Sequence, residues 1–341
     1  MKRIKIAQIG TGHDHAFSPI PTFKKLSDIF EFVGYCTVPE DEYNVPQHSN
    51  KAHSWAIGDA KQLTLDEILN YPDLDAVCIE TEDRALTKYA IMAAEKGLHI
   101  QMDKPGGIDD AEFDRLIDIV EEKKLVLHIA YMYRYNPAVI KLKEDIKAGK
   151  LGDIIAAEGE MDCRHALPKR NWLKDYPGGM LYFLGCHMVD LVYSIMGDPE
   201  EIIPLSCSSG LEGTDAKDFG MAVFKYKNGV SVAKSTAVED GGYERRHLLV
   251  VGTKGTVELR PIETGAESTE IFNAQKTTVR ENFSEAFTSK AECYETEVFG
   301  RFDGMFRAFA DYINGVRSNP YTYEYERKLH KVLLKACGEK V

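Results

Sequence analysis

The first 125 residues alternate short apolar runs with amphipathic ones, and that alternation confines this part of the chain to a parallel sheet wrapped by helices. The strand-like runs are Ile4–Ile9, Phe30–Cys36, Ala76–Ile79, His99–Met102 and Val126–Ala130. Between them, Arg84–Lys96 repeats apolar residues at helical spacing and stops at Gly97, and Asp109–Lys123 gathers Phe113, Leu116, Ile117 and Val120 on one face. Thr64-Leu65-Asp66-Glu67 has the form of a capping box opening a short helix. After Tyr135-Asn136-Pro137 a helix is expected to run to Ala148, with Gly149 ending it.

Beyond Gly152 the pattern changes. Ile154–Met161, Lys217–Tyr226, Val230–Val238, Arg246–Gly252 and Thr256–Arg260 read as strands, several joined by short turns. Asn228-Gly229 is a hairpin signal that expects positive φ at both turn positions. A helix over Gly179–Ile195 interrupts these strands, and helical patterns return at Phe302–Ile313 and Tyr325–Ala336. The polar, acidic stretch 263–297 reads as loops and short strands. Two domains are expected: an α/β domain over residues 1–125 and an α+β domain over 126–341, built on a large, open, mostly antiparallel sheet.

A formal net charge of −12 disfavours a nucleic-acid partner, which demands a basic face. No segment approaches the run of about 18 apolar residues that a membrane span requires. Seven scattered cysteines without a C-x-x-C pair fit reduced thiols and a cytoplasmic location. His13, Asp14 and His15 raise the question of a metal, but no matching ligand cluster stands nearby in sequence, so none is expected.

Chemistry concentrates at three places. Gly10-Thr11-Gly12 follows the first strand, where Gly10 permits a tight turn and Gly12 lets the backbone approach a pyrophosphate. The third glycine of the usual dinucleotide fingerprint is absent, and His15 occupies its place. The second strand ends at the neutral Thr37, with acids only at Glu40, Asp41 and Glu42, which leaves NAD versus NADP open. Gln101-Met102-Asp103-Lys104-Pro105-Gly106-Gly107 then places a lysine at the mouth of a buried strand, able to hydrogen-bond a substrate hydroxyl. On the Gly179–Ile195 helix, His187 and Asp190 stand three apart: either an imidazole base with its orienting carboxylate, or a structural pair.

In this order and spacing, the chain resembles the Gfo/Idh/MocA oxidoreductases over nearly its whole length. The likeness rests on Ile9-Gly10-Thr11-Gly12, and on Asp103-Lys104-Pro105 as a conservative form of that family's Glu-Lys-Pro. It continues through Tyr133-Arg134-Tyr135-Asn136-Pro137, Gly149-Lys150-Leu151-Gly152, and Asn171-Trp172 before Gly178-Gly179. Gly185-x-His187-x-x-Asp190 and Gly252-Thr253-Lys254-Gly255-Thr256 complete it. The resemblance implies a Rossmann domain followed by a domain with a larger sheet, NAD or NADP as cofactor, and a catalytic lysine and histidine falling on Lys104 and His187. One position departs: the acidic residue that better-known members carry four before the histidine is Phe183 here.

The expected reaction is hydride transfer between a nicotinamide and a hydroxyl carbon of a sugar, polyol or sugar derivative. Gly10, Thr11, Gly12, His13, Thr37, Asp103 and Lys104 are the expected cofactor contacts. Arg134, Asp162, Arg164, His165, Trp172, Tyr176, Phe183 and Asp190 are the expected substrate-lining residues, with Asp162 and Asp190 as candidates for the missing carboxylate. Two other readings stay open: transient oxidation that permits glycoside cleavage, and a cofactor-binding sensor without catalysis. A homodimer or homotetramer built through the second domain's sheet is expected.

Overall fold

Strand β1 (Ile4–Ile9) buries Ile4, Ile6, Ala7, Gln8 and Ile9, the near-continuous burial that a strand takes only at the centre of a sheet covered on both faces. It pairs in parallel with β2 (Phe30–Cys36) on one side and β3 (Ala76–Ile79) on the other. With β4 (His99–Met102) and β5 (Leu127–Ile129) the order is β2-β1-β3-β4-β5, all neighbours parallel. The structure, a computed structural model, describes residues 2–43, 54–263, 270–275 and 291–341.

Four helices connect or flank these strands, α1 (Pro19–Lys25), α2 (Leu65–Leu69), α3 (Leu86–Glu95) and α4 (Asp110–Glu122), and α5 (Pro137–Lys147) follows in the second part of the chain. The capping box is formed: Glu67 N donates to Thr64 Oγ1 at 3.2 Å and Thr64 N to Glu67 Oε2 at 2.7 Å. Asp109 caps α4 through Glu112 N at 2.8 Å, and Phe113, Leu116, Ile117 and Val120 are buried as the periodicity requires. Asn136 caps α5, accepting from Ala138 N at 2.8 Å.

The second sheet has the order β13-β12-β11-β10-β6-β9-β8-β7. Its strands are β6 (Ile154–Glu160), β7 (Glu201–Pro204), β8 (Phe219–Tyr226), β9 (Gly229–Thr236), β10 (His247–Gly252), β11 (Gly255–Leu259), β12 (Glu270–Gln275) and β13 (Ala291–Glu295). Every pairing is antiparallel except β6 with β9. The expectation for residues 263–297 therefore contains β12 and β13, while 264–269 and 276–290 lie outside the described residues.

Two details differ from the local signals. The β8–β9 hairpin forms, but Tyr226 pairs with Gly229, so the turn is Lys227-Asn228, and neither these residues nor Gly229 takes positive φ. Gly229 is needed for another reason: a Cβ there would fall 1.8 Å from the Ile155 carbonyl oxygen. The expected single helix over Gly179–Ile195 is broken into α7 (Met180–Phe183) and α8 (Cys186–Met196). At Gly185, between them, a Cβ would lie 2.7 Å from Leu181 Cδ1 and 2.9 Å from Ser235 Cβ. The remaining helices are α6 (Leu167–Trp172), α9 (Asp303–Ile313) and α10 (Tyr323–Ala336).

The chain divides into two units, the first comprising residues 1–132, 302–331 and 341, the second 133–301 and 332–340. The return of 302–331 to the first unit follows from packing: Phe306 meets Phe23 at a tilt with ring centres 4.6 Å apart, and Tyr323 donates to the Leu125 carbonyl at 2.7 Å. Among the described residues no helix is long and apolar enough to cross a membrane.

Candidate active site

In the first unit the strand order reverses between β1 and β3, and open α/β sheets hold ligands beyond the carboxyl ends of the strands at such a point. The Gly10–His13 loop leaves β1 there. Gly10 has φ +90°, and a Cβ on it would fall 2.5 Å from Thr81 Cγ2. A Cβ on Gly12 would fall 2.7 Å from Asp41 Cα and 2.8 Å from Glu82 N. The loop is thus pressed between the segments leaving β2 and β3, and side chains are excluded from both glycines.

Thr37 is exposed, and Asp41 supplies the contact from the end of β2. Asp41 Oδ2 accepts from Thr11 N at 2.9 Å, Thr11 Oγ1 at 3.2 Å and Val38 N at 3.0 Å. Burial pushes its carboxyl up to about 6, against the pull of these donors. The signal available in sequence was an acid a few residues past the strand. The short 3-10 turn Pro39–Tyr43 is what folds it back.

At the end of β4, Lys104 and Asp103 are both buried, and Asp103 Oδ1 accepts from Lys104 N at 2.7 Å. Asp103 Oδ2 faces His13 Nδ1 at 2.8 Å and His15 Nδ1 at 3.2 Å. Burial would lower the proton affinity of His13, but the Asp103 and Asp83 carboxylates outweigh it and raise that affinity well above the ordinary value. The sequence singled out the two histidines without a third partner nearby; that partner comes from 88 residues away.

In the second unit His187 lies in the first turn of α8, its ring edge-on to Tyr133 with centres 4.9 Å apart. Asp190, of the same helix, is taken by Arg134: Nη2 to Oδ1 is 2.7 Å, and Nε to the two carboxylate oxygens is 3.0 and 3.1 Å. Both side chains are buried. Arg134 and Asp190 therefore form an ion pair, and Asp190 is committed to the guanidinium. Asp162 is committed as well. Its Oδ1 accepts from Thr236 N at 2.7 Å and its Oδ2 meets Lys234 Nζ at 2.9 Å. Asp162 and Glu160 share Lys234, on the sheet face opposite Gly159, whose own side packs on Met188 of α8. Burial first, then Glu160, lifts the Asp162 carboxyl to about 7.

Phe183 joins an aromatic group: Trp172 meets it edge-on at 5.1 Å, and His165 lies 6.3 Å away. Tyr176 is 4.5 Å from Trp172. The Lys169 ammonium sits 3.5 Å from the Trp172 ring centre and 4.1 Å from that of Phe183. Sequence reading had passed over Lys169. Arg164 is half-exposed and donates to the Val238 carbonyl at 3.1 Å.

Comparison with known proteins follows these lines. Residues 5–131 match the model of an oxidoreductase family with an NAD-binding Rossmann fold, and residues 139–258 match the GFO/IDH/MocA C-terminal domain. An uncharacterized oxidoreductase of Schizosaccharomyces pombe is 28% identical over 206 residues, covering 59% of this chain and 54% of the relative, so the match spans about half of that protein. The NADP-dependent D-xylose 1-dehydrogenase 2 of Haloferax volcanii is 25% identical over 239 residues, 65% of this chain and 71% of the relative. Among solved structures, a 3-ketoreductase from Actinomadura kijaniata in complex with NADP and TDP-benzene superimposes with a TM-score of 0.77 at 14% identity, covering 97% of this chain and 96% of that one. At that identity the likeness is one of fold.

Proposed function

Since the chain belongs to the Gfo/Idh/MocA family of oxidoreductases, we propose that it moves a hydride between a nicotinamide dinucleotide and a hydroxyl-bearing carbon of a sugar-like substrate. The observation that carries this reading is Lys104, an ammonium 2% exposed at the carboxyl end of a central strand. That position is where open α/β sheets meet their ligands, and an ammonium there is suited to hydrogen-bond a substrate hydroxyl.

The chain's residues fit such a cofactor. The side-chain-free Gly10–Gly12 turn stands at the strand-order reversal, and Asp41 reaches it from the end of β2 as a ribose-binding acid would. When bound, the nicotinamide supplies the hydride acceptor or donor. The chain's own part is to orient substrate and move one proton. Lys104 hydrogen-bonds the substrate oxygen and stabilises its developing negative charge. His187 is the proposed base, taking the hydroxyl proton in the oxidative direction and returning it in the other. Asp190 is held by Arg134 and Asp162 by Lys234, so each of these carboxylates already carries a cation. The test is NAD(P)H absorbance against a panel of sugars, inositols and sugar acids. Turnover of at least one is expected, and calorimetric failure of the protein to bind any nicotinamide dinucleotide overturns the proposal.

The position of Asp41 favours NAD, because a carboxylate beside the glycine loop repels a 2′-phosphate. Asp41→Ser is expected to shift the ratio of kcat/KM for NAD over NADP toward NADP by about tenfold or more, an energy of about 1.4 kcal/mol. Unchanged discrimination in steady-state assays with both cofactors refutes this role. For assembly, we propose a dimer or tetramer joined through the open face of the eight-stranded sheet. Light scattering is expected to give a multiple of the 38.3 kDa chain mass, and a monomer at all concentrations counts against it.

A further inference from the structure

We propose that the first unit holds one divalent transition-metal ion of the zinc class, bound by His13, His15, Asp103 and Glu80 beneath the dinucleotide loop. The site is separate from the hydride chemistry and does not depend on it.

The four ligands come from three strand ends. His13 and His15 follow β1, Glu80 follows β3, and Asp103 follows β4. Single donor atoms of His13, His15 and Asp103 lie within 4.8 Å of one another. The Asp103 Oδ2 distances of 2.8 and 3.2 Å to the two Nδ1 atoms are both somewhat shorter than the ligand–ligand separation of about 3.3 Å that tetrahedral bonds of about 2.0–2.1 Å impose, so the groups would part slightly around an ion. Glu80 Oε2 is 4.0 Å from His13 Nδ1, fully buried, and has no hydrogen-bond partner among the described residues.

Three features favour an ion over a purely hydrogen-bonded cluster. First, the His15 backbone N–H points at His13 Nδ1 at 3.2 Å, which marks that nitrogen as an electron-pair donor. A carboxylate oxygen 2.8 Å from that nitrogen calls for a positive charge between them, which a proton supplies in the metal-free site and a bound dication supplies on displacing it. Second, the charges of the ligands close: two neutral imidazoles and two carboxylates balance a dication in a largely buried site. Third, the outer contacts suit ligation. Asp103 Oδ1 is occupied by Lys104 N at 2.7 Å, which directs Oδ2 to the centre. His13 Nε2 and Asp83 Oδ1 face each other at 3.5 Å, and neither meets any other hydrogen-bond partner among the described residues. That is the carboxylate placed behind a metal-bound histidine that fixes its tautomer.

With His13, Glu80 and Asp103 buried and only His15 partly exposed, the ion is enclosed on most sides and serves as a structural tie. It joins the dinucleotide loop to the strand end that carries Lys104, so the turn of one and the backbone of the other are set together.

The experiment uses the full chain, stripped with a chelator, dialysed and titrated with Co²⁺ in the absence of any dinucleotide. Expected are one ion per chain, the intense visible bands of a four-coordinate cobalt site, and their loss on adding Zn²⁺. His15→Gln and Glu80→Gln are each expected to abolish the bands, and Asp83→Asn to weaken affinity by roughly 10–100-fold. Glu160→Gln, in the separate carboxylate group of the second unit, leaves the titration unchanged. Circular dichroism melts confirm that each variant is folded; where one ligand variant is not, the other is read. No visible band in the parent, or bands that persist in a folded His15→Gln or Glu80→Gln, overturns the site.

Discussion

Replacing Lys104 with Met is expected to lower kcat by roughly 10²–10⁴-fold while leaving dinucleotide binding close to that of the parent. The side chain is enclosed at the end of β4, and Met keeps its length and flexibility, so packing around β4 survives the change. What is removed is the ammonium. If that group stabilises charge on the reacting oxygen, its loss falls on kcat and kcat/KM together rather than on KM alone. His187→Ala is expected to fall in the same range, and the double variant little below the worse single, because groups that serve one chemical step are not additive. Steady-state kinetics with the best substrate from the panel, with fluorescence quenching as the measure of cofactor binding, provide the check. Turnover in Lys104→Met within about threefold of the parent removes the lysine from the mechanism.

The largest effect on stability is expected from Asp190→Ala. The Arg134–Asp190 pair is buried on both sides, with side-chain exposures of 0% and 1%, and truncating one member strands the other's charge in the interior. Loss of one partner of such a pair costs about 3–5 kcal/mol. For a unit of this size that is a fall in Tm of roughly 6–20 °C. A second cation compounds the loss: Lys143, brought down to about 8 by burial and partly restored by Asp190, also faces the carboxylate. The double substitution Arg134→Met with Asp190→Leu is expected to recover most of the stability, since an apolar pair carries no desolvation penalty. Thermal melts by circular dichroism distinguish the cases. An Asp190→Ala protein that melts with the parent shows that Arg134 has found another partner.

Legibility from sequence followed the range of the interactions. The parallel strands from Ile4 to Ile9 and Ala76 to Ile79 were readable because burial on both faces writes an unbroken apolar run. Thr64, Asp109 and Asn136 were readable at helix starts because a cap is a contact within three residues. Lys104 and His187 stood out by their local settings. The partners did not. Arg134 and Asp190 are 56 residues apart, and the spacing His187-x-x-Asp190 gave no sign of the guanidinium. Asp103 beside His13 and His15, and Asp41 against Thr11, likewise arise only when separate strand ends converge. The break at Gly185 depends on Ser235, fifty residues on, and no helical periodicity records such a neighbour. Gly229 is the instructive case: the residue type was right for a hairpin, and the cause was a carbonyl oxygen on another strand.

The lone parallel join in the second sheet, β6 beside β9, has a wider meaning. Adjacent parallel strands cannot be linked by a tight turn, so the chain must make a long excursion between them. That excursion, residues 161–228, contains Asp162, Arg164, His165, Trp172, Tyr176, Phe183, His187 and Asp190. Most of the proposed substrate-lining residues are thereby gathered into one contiguous cassette whose flanking strands lie side by side. Mutation within it can retune chemical taste while the anchoring rungs stay put, which makes novelty cheap to acquire by descent or by grafting.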